Sequence, residues 1–239
     1  MTNSKVIVAL DFKTKEDIVN FLDLFGDEKI YVKCGMELFY GQGREMVEEI
    51  IKRGHSIFLD LKLHDIPNTV KAAMYQLASL GVDMVNVHAS GSIAMMKAAI
   101  QGLEEGAKAC GKETRPLCIA VTCLTSLDQN VLENELLINA PLSDVVVKWA
   151  QNAKEAGLDG IVCSPLESKL VHDALGTDFI TVTPGIRLAT DSVNDQKRVT
   201  TPAMARELTS SYIVVGRTIT ASKTPLETYR EVCRQFEGE

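Results

Sequence analysis

Short apolar segments typical of β-strands alternate with amphipathic helical segments from one end of the chain to the other. The predicted strands are residues 5–11, 30–35, 56–62, 83–88, 117–123, 160–164, 179–184 and 212–216. Strands that alternate with helices form parallel sheets, and eight such units close into a (β/α)8 barrel. We therefore predict an α/β fold consisting of a single TIM barrel.

Two helix-to-strand junctions support this repeated architecture. Gly81-Val82-Asp83 and Gly157-Leu158-Asp159 each place a glycine, an apolar residue and an aspartate directly before a predicted strand. The glycines are expected to end the preceding helices, and Ser143 is predicted to cap the start of the helix that Gly157 ends. An open doubly wound sheet is the competing fold. Its dinucleotide fingerprint is absent, because Gly41-Gln42-Gly43 lacks the third glycine and follows no clean first strand.

Composition fits one globular domain spanning residues 1–239, with 46% apolar and 24% charged residues and no linker-like stretch. A net charge of −7 argues against a nucleic-acid or membrane surface, so we expect neither as a partner. The N-terminal residues lead directly into the first strand, which predicts a cytoplasmic protein without a signal peptide. The six cysteines form no CxxC pair or zinc spacing and are predicted to be reduced thiols.

Residues suited to binding or catalysis lie at or just after the end of nearly every predicted strand, at the rim where barrel enzymes have their active sites. They are Asp11, Lys33, Asp60, Lys62, His88, Thr122, Thr125, Arg187, Gly216 and Arg217. Solvation alone does not explain their collection on one rim. The arrangement predicts an active site there.

The run Asp60-Leu61-Lys62-Leu63-His64-Asp65 is the most distinctive part of this rim. Side chains alternate along a strand, so Asp60 and Lys62 are expected on one face and to meet Asp11 and Lys33 above the barrel centre. Charges about 4 Å apart at an effective dielectric near 20 interact by roughly 4 kcal/mol. Such a cluster can keep a lysine ready to donate a proton while an aspartate repels a substrate carboxylate, which is the chemistry of a decarboxylation without a metal or cofactor.

A phosphate site is predicted beside this cluster. Gly216 allows close approach of a ligand to the backbone, and Arg217 can hold phosphate through two hydrogen bonds. Pro184-Gly185-Ile186-Arg187 ends the seventh strand, and the polar stretch that follows, including Gln196, could close over a phosphate as a lid. Barrel enzymes often bind phosphate after strands seven and eight, where these segments lie.

The chain closely resembles the bacterial orotidine 5′-monophosphate decarboxylase family, across nearly its whole length. The resemblance rests on Asp11, Lys33, the run from Asp60 to Thr69, Thr125, Pro184-Gly185-Ile186-Arg187, Gln196 and Val215-Gly216-Arg217. The D-x-K-x-x-D element alone is shared with related sugar-phosphate barrels. His64, the Ile-Pro-Asn-Thr segment after it and the Thr-Pro-Gly-Ile-Arg segment make the resemblance specific.

The resemblance implies the last step of pyrimidine nucleotide synthesis and particular roles for these residues. Lys62 is expected to protonate C6 of the pyrimidine, with Asp60 facing the substrate carboxylate and Lys33 and Asp11 binding the ribose and completing the charge network. Thr125 is expected to contact the pyrimidine, and Pro184, Arg187, Gln196, Gly216 and Arg217 are expected around the phosphate. Asp65, Ile66 and Thr69 are expected to reach the neighbouring subunit's site, which implies a homodimer.

Two alternatives stay open at this point. A Mg²⁺-dependent sugar-phosphate decarboxylase or aldolase of a related barrel family would share the D-x-K-x-x-D element. A barrel that only binds nucleotides or phosphate would lack one of the site's charged residues, and here all are present. His55 and His172 are expected on the surface, and His88 is expected to pack near the site.

Overall fold

The computed structural model describes residues 4–189 and 200–238, and its strands form a closed parallel barrel. The strands are β1 Val6–Ala9, β2 Tyr31–Gly35, β3 Ser56–Leu63, β4 Met84–His88, β5 Leu117–Val121, β6 Gly160–Val162, β7 Ile180–Thr183 and β8 Tyr212–Val215. They are hydrogen-bonded in sequence order, and β8 pairs with β1 to close the ring. The predicted (β/α)8 fold is confirmed, with strand boundaries that differ from the predictions by at most two residues.

Helices connect successive strands and cover the outside of the barrel. They are α1 Lys15–Asp23, α2 Met36–Lys52, α3 Pro67–Ser79, α4 Ser92–Ala109, α5 Gln129–Asn134, α6 Leu142–Glu155, α7 Pro165–Leu175, α8 Pro202–Glu207, α9 Arg217–Thr220 and α10 Pro225–Glu237. A single 3₁₀ turn, Ala89–Gly91, precedes α4. Across the described ranges, no helix has both the length and the apolar character needed to cross a membrane.

Two apolar layers result from the alternation of side chains along the strands. The inner layer fills the barrel and contains Ile7, Ala9, Tyr31, Phe58, Met84, Ile119, Val182 and Val214. The outer layer lies between strands and helices and includes Val8, Val32 and Leu59. The next inward positions toward the strand ends are polar on β2, β3 and β4, where Lys33, Asp60 and Asn86 lie. Packing therefore fills the lower barrel and leaves charged and amide groups at its C-terminal end.

The repeated Gly-x-Asp junctions have the same structural role in both places. Gly81 and Gly157 adopt positive φ after α3 and α6, as a helix-ending glycine does. The Asp83 carboxylate accepts a hydrogen bond from the Ile57 backbone N–H at 2.7 Å, and Asp159 accepts one from Cys118 N–H at 2.7 Å. Each aspartate thus ties the start of its strand to the preceding strand. The junctions stabilise the N-terminal end of the barrel, away from the predicted site.

Helices α3 and α4 pack unusually closely, and two glycines make this possible. A Cβ atom at Gly102 would lie 2.2 Å from the Lys71 carbonyl oxygen, and one at Gly106 would lie 2.4 Å from the Tyr75 carbonyl oxygen. Both obstacles are backbone atoms of α3, which cannot move aside as a flexible side chain can. The position of α3 on the barrel therefore depends on these glycines.

Three local predictions were wrong. Ser143 lies inside α6, whose N-cap is Pro141, because the helix starts two residues earlier than the serine pattern suggested. His55 is buried, and its Nδ1 accepts the Ile30 backbone N–H at 3.2 Å. His172 is also buried, with Nδ1 3.0 Å from the Thr209 hydroxyl. Both histidines serve as hydrogen-bonding groups within the fold rather than as surface residues.

The cysteine prediction agrees with the structure. All six cysteines lie within the described residues, and each is a free thiol. Cys34, Cys118, Cys123 and Cys163 are buried in or beside strands. Burial raises the pKa of Cys123 to about 11, so this residue remains a neutral thiol at physiological pH.

Candidate functional site

Two adjoining cavities open at the C-terminal end of the barrel. The first has a volume of about 240 Å³ and is lined by Lys33, Phe58, Asp60, Lys62, Val121, Cys123, Leu124, Thr125, Ser126, Val162, Cys163, Val182, Pro184 and Val214. The second, of about 190 Å³, is lined by Ala9, Asp11, Lys33, Pro184, Gly185, Ile186, Arg187, Val214, Gly216, Arg217 and Thr218. Lys33, Pro184 and Val214 contribute to both cavities. A ligand with two chemically different ends could therefore occupy both at once.

Four charged side chains form a connected chain along the boundary of these cavities. Lys62 Nζ donates to Asp60 Oδ1 at 2.7 Å, and Lys33 Nζ lies 3.5 Å from Asp60 Oδ2. Lys33 Nζ also donates to Asp11 Oδ1 at 3.3 Å. The structure thus brings together the four residues that the sequence placed above the barrel centre. Their signs alternate along the chain, so each charge faces a partner of opposite sign.

Burial and charge act in opposite directions on the two central members of this network. Burial alone would raise the pKa of Asp60, but the nearby Lys33 and Lys62 charges and hydrogen bonds from Lys62 and Asn86 lower it below its ordinary value. Burial alone would lower the pKa of Lys33, but the charges of Asp60 and Asp11 raise it. Both groups are therefore ionised at neutral pH. The site keeps a buried carboxylate and a buried ammonium in their charged forms.

The backbone around Lys62 departs from a regular strand. Leu59 pairs with Val85 and Leu63 pairs with Val87, so β3 carries two more residues than β4 between these pairs. Within this bulge Lys62 has a φ of 52°, a conformation that costs a non-glycine residue about 1–3 kcal/mol. Bulges often re-aim a side chain beside an active site. Here the bulge presents the Lys62 ammonium to the first cavity.

Asn86 is a site residue that the sequence interpretation missed. It is only 1% exposed, and its Nδ2 donates to Asp60 Oδ1 at 2.7 Å while its Oδ1 accepts the Lys62 backbone N–H at 2.8 Å. One signal was available in the sequence, since Asn86 is a lone amide at an inward position of the apolar segment Met84-Val85-Asn86-Val87.

The second cavity contains the residues predicted to bind phosphate. Arg187, Gly216 and Arg217 all line it, and Arg217 begins α9 directly after β8. The Arg187 backbone N–H donates to the Thr200 carbonyl at 3.1 Å. This hydrogen bond joins the two sides of the segment predicted to form a lid. Gln196 lies outside the described residues. The cavity offers two guanidinium groups and Lys33 to an anionic ligand.

Thr125 lines the first cavity and not the second, where the arginines lie, and it is on the segment between β5 and α5. Ser126 lines the same wall and was not predicted. Thr122, a rim residue in the sequence interpretation, instead donates its hydroxyl to the Val162 carbonyl at 2.8 Å and lines neither cavity. The remaining walls are mainly apolar, which suits a flat ring.

Asp65, Ile66 and Thr69 do not line either cavity. Asp65 and Ile66 lie between β3 and α3, Thr69 lies in the first turn of α3, and all three are exposed, Ile66 by 66%. Asp65 Oδ1 accepts the Ile66 backbone N–H at 2.7 Å, which holds the turn before Pro67. Neither cavity of the same chain therefore receives a side chain from these three predicted residues.

His64 and His88 form a ring pair beside the network, with centroids 5.5 Å apart. Burial lowers the pKa of His88, His64 and Lys62 lower it further, and Asp60 acts in the opposite direction. His88 is therefore neutral at physiological pH. It packs next to the charged groups, as predicted.

Volume alone does not identify the functional end of this barrel. A larger cavity of about 890 Å³ lies at the N-terminal end, between α10 and the start of β1. It lacks the charge network. Among residues 4–189 and 200–238, no three His, Cys, Asp or Glu side chains are grouped so as to hold a metal ion.

Comparison with known proteins agrees with the geometry. The model of the Orotidine 5′-phosphate decarboxylase / HUMPS family matches residues 4–232. This chain belongs to that family. Orotidine 5′-phosphate decarboxylases of Bacillus cereus (strain AH820) and Bacillus anthracis (strain A0248) are each 58% identical to it over 236 residues, covering 99% of this chain and 98% of theirs.

Solved structures of similar chains share the fold over nearly the full length. Orotidine 5′-phosphate decarboxylase from Lactobacillus acidophilus matches with a TM-score of 0.86 and 42% identity, covering 98% of this chain and 99% of its own. An uncharacterized conserved protein from Geobacillus kaustophilus matches with a TM-score of 0.87 and 46% identity, covering 97% and 99%. The family and the site geometry thus lead to the same class of enzyme.

Proposed function

We propose that this chain is a carboxy-lyase that converts orotidine 5′-monophosphate to uridine 5′-monophosphate and carbon dioxide, in pyrimidine nucleotide synthesis. The observation that supports this most directly is the Asp60–Lys62 contact at 2.7 Å in a cavity that adjoins a second one with two arginines. The first cavity would take the pyrimidine, and the second would take the phosphate. The 58% identity to relatives bearing this enzyme's name supports the same reaction.

In the proposed mechanism the bond between C6 and the carboxylate carbon breaks, the electron pair stays on C6, and carbon dioxide leaves. Lys62 then donates a proton to C6. Asp60 would lie against the departing carboxylate and hold the Lys62 ammonium. Lys33 and Lys62 keep Asp60 ionised, and Lys33 and Asp11 would bind the ribose hydroxyls. Stabilising the negative charge that develops at C6 with a fixed ammonium is the main catalytic contribution in this proposal.

Phosphate binding would anchor the substrate far from the reacting bond. Arg187, Arg217 and the Gly216 backbone are proposed to hold the phosphate with Pro184 and Gln196 beside it, and Thr125 is proposed to contact the pyrimidine edge. Binding energy from the phosphate would then be used to orient C6 beside Lys62.

We further propose that the active unit is a homodimer in which each chain is one catalytic domain. Asp65, Ile66 and Thr69 would complete the partner's site, which agrees with their exposure and with their absence from the lining of both cavities in their own chain. The buried thiols, kept neutral by raised pKa values, suit a reducing compartment, and we propose a cytoplasmic location.

The test is to follow the absorbance of orotidine 5′-monophosphate with purified protein, with and without excess chelator. We expect equal rates of conversion to uridine 5′-monophosphate in both samples. The proposal would be wrong if no conversion occurred and added Mg²⁺ gave activity on a sugar phosphate. That result would favour the related metal-dependent barrel enzymes.

A further inference from the structure

Asn86 connects the two groups on which the proposed chemistry depends. Its side-chain amide donates to Asp60 Oδ1 at 2.7 Å and accepts the Lys62 backbone N–H at 2.8 Å. Each contact uses a different end of the amide. The amide orientation is therefore fixed, because reversing it would place oxygen against oxygen and N–H against N–H.

The contact with Lys62 replaces a hydrogen bond that a regular strand would make. Between the Leu59–Val85 and Leu63–Val87 pairs, β3 has two more residues than β4, so its backbone cannot follow the usual ladder there. The Lys62 N–H finds its acceptor in the Asn86 side chain instead. Asn86 thus secures the bulge in which Lys62 adopts its positive φ of 52°.

The contact with Asp60 sets how the carboxylate is turned. Oδ1 receives both Asn86 Nδ2 and Lys62 Nζ at 2.7 Å, while Oδ2 faces Lys33 Nζ at 3.5 Å. With the amide removed, the carboxylate would be held only by the two lysine ammonium groups, which sit on flexible side chains. Asn86 is also 1% exposed, so bulk water does not compete for these contacts while the amide is present.

We propose that Asn86 is a positioning residue that fixes the Asp60 carboxylate and the Lys62 backbone together, so that the Lys62 ammonium points into the pyrimidine cavity. It acts through these two residues and does not contact substrate itself. This inference rests on the proposed function for its kinetic consequence. That Asn86 fixes the Asp60 carboxylate and the Lys62 backbone does not depend on which substrate is used.

The first experiment needs no substrate. Amide hydrogen exchange of the Lys62 N–H is measured by NMR in the wild type, Asn86→Ala and Thr181→Val. Thr181 is a fully buried polar residue of β7 that bonds to Ser211, outside both cavities, so its variant reports the effect of losing any buried polar group. We expect exchange at Lys62 to be at least about tenfold faster in Asn86→Ala and unchanged in Thr181→Val. Unchanged exchange in Asn86→Ala would overturn the inference.

The second experiment is kinetic. Asn86→Ala is expected to lower kcat by at least about 100-fold with KM changed by less than about threefold, because alignment at the reacting centre is lost while phosphate binding stays. Thr181→Val should keep the wild-type kcat. A kcat for Asn86→Ala within about threefold of the wild type, at equal folded fraction, would overturn the inference.

The Asn86→Asp variant separates positioning from general loss of structure. Its new carboxyl group would face Asp60 and Lys62 on β3, Lys33 on β2, and the His88–His64 ring pair. When protonated it can donate to Asp60 and accept from the Lys62 N–H, as the amide does. When ionised it repels Asp60.

We therefore expect kcat of Asn86→Asp to fall as pH rises, over a range in which the wild type is flat. Ionisation of the new carboxyl also lowers stability as pH rises, so thermal melting is measured over the same range and kcat is compared only where the variant is fully folded. A pH profile of Asn86→Asp parallel to that of the wild type would contradict the positioning role. If the wild type itself fails to convert orotidine 5′-monophosphate, the proposed function is wrong, and the exchange experiment still decides the role of Asn86.

Discussion

The Lys62 side chain is the group with the clearest single task in the site. Lys62→Ala removes the proposed proton donor and leaves both arginines in place. We expect kcat to fall by at least about 1,000-fold, because the proton transfer and the charge beside C6 are lost together. Binding of uridine 5′-monophosphate, measured by calorimetry, should remain detectable.

The matched control is Lys71→Ala, which removes an ammonium that pairs with Glu105 on the outer helices. Its kcat should equal that of the wild type. Near-normal turnover by Lys62→Ala would remove Lys62 from the mechanism.

Arg217 lines the second cavity and has a different task. Arg217→Ala should lower kcat/KM for orotidine 5′-monophosphate by about 10- to 100-fold, the loss expected for one charge-assisted contact with phosphate. Orotidine, which lacks the phosphate, should be converted equally slowly by the variant and the wild type.

Arg234→Ala serves as a control, because Arg234 is on α10 and pairs with Glu231. If Arg217→Ala lowered kcat/KM by the same factor for orotidine 5′-monophosphate and for orotidine, Arg217 would not act on the phosphate.

At the residue scale, much of the site was predictable. Asp11 follows β1, Lys33 lies in β2, and Asp60 and Lys62 lie in the C-terminal half of β3. Parallel strands bring these positions to one rim. Asn86 was not predicted, because its role depends on the β3–β4 register, which no local pattern specifies. His55 and His172 were misplaced for a similar reason, since their partners Ile30 and Thr209 are distant in the sequence.

The loop between β3 and α3 is the element that tests the proposed dimer. If Asp65 acts in the partner's site, a mixed dimer of Lys62→Ala and Asp65→Asn chains contains one site with both defects and one with neither. Mixing the two inactive variants at equal amounts under exchange conditions should therefore restore about a quarter of wild-type activity.

A mixture of Lys62→Ala with Asp60→Asn is the control, since both residues belong to the same site and no intact site can form. Failure of the first mixture to regain activity, with subunit exchange shown by mass labels, would contradict a composite site.

Helix α3 follows that loop and is placed by its contact with α4. Gly106→Ala would force a Cβ atom against the Tyr75 carbonyl oxygen. We expect the free energy of unfolding to fall by about 2 kcal/mol, the usual cost of overpacking, in urea denaturation.

Gly41→Ala is the matched control. Gly41 lies in α2 with no atom within 4 Å of the added Cβ, so its substitution should leave stability unchanged or slightly raised. Equal stability of Gly106→Ala and the wild type would show that α3 and α4 can separate without cost.

At the element scale, the sequence predicted all eight strands and their order, because apolar runs and helical periodicity are local signals. The start of α6 was predicted too late in the sequence, because serine is a common N-cap residue and Ser143 was taken as the cap. The bulge in β3 was not predicted. Alternating residues in one strand give no information about its register with the neighbouring strand, and the bulge is a shift of that register.

The stability of the whole fold is expected to depend on pH, and buried His55 contributes to that dependence. Burial, with Lys29 and Arg53 adding to it, lowers the pKa of His55 to about 4 in the folded chain. Its ordinary pKa is about 6.5, so the unfolded chain takes up a proton first as pH falls. Stability from neutral His55 is therefore fully present above about pH 6.5 and is lost as pH falls toward 4.

We expect titration of His55 to lower the free energy of unfolding by on the order of 2 kcal/mol between pH 7 and pH 4, a figure that includes partial screening by solvent. His55→Gln can still accept the Ile30 N–H but does not titrate, so its unfolding free energy should change less over this pH range. Burial also lowers the pKa of His172, and His172→Gln should show a separate reduction in pH sensitivity. An unchanged pH dependence in His55→Gln would exclude the assigned role.

The two ends of the barrel use charge for different purposes. Asp83 and Asp159 tie strands together at one end, while Asp60 and its lysines lie at the other. Substitutions that change thermal stability can therefore accumulate around Asp83 and Asp159 at the N-terminal end of the barrel. Such substitutions leave the reacting groups at the C-terminal end unchanged. Descendants could diverge in heat tolerance and still share one chemistry.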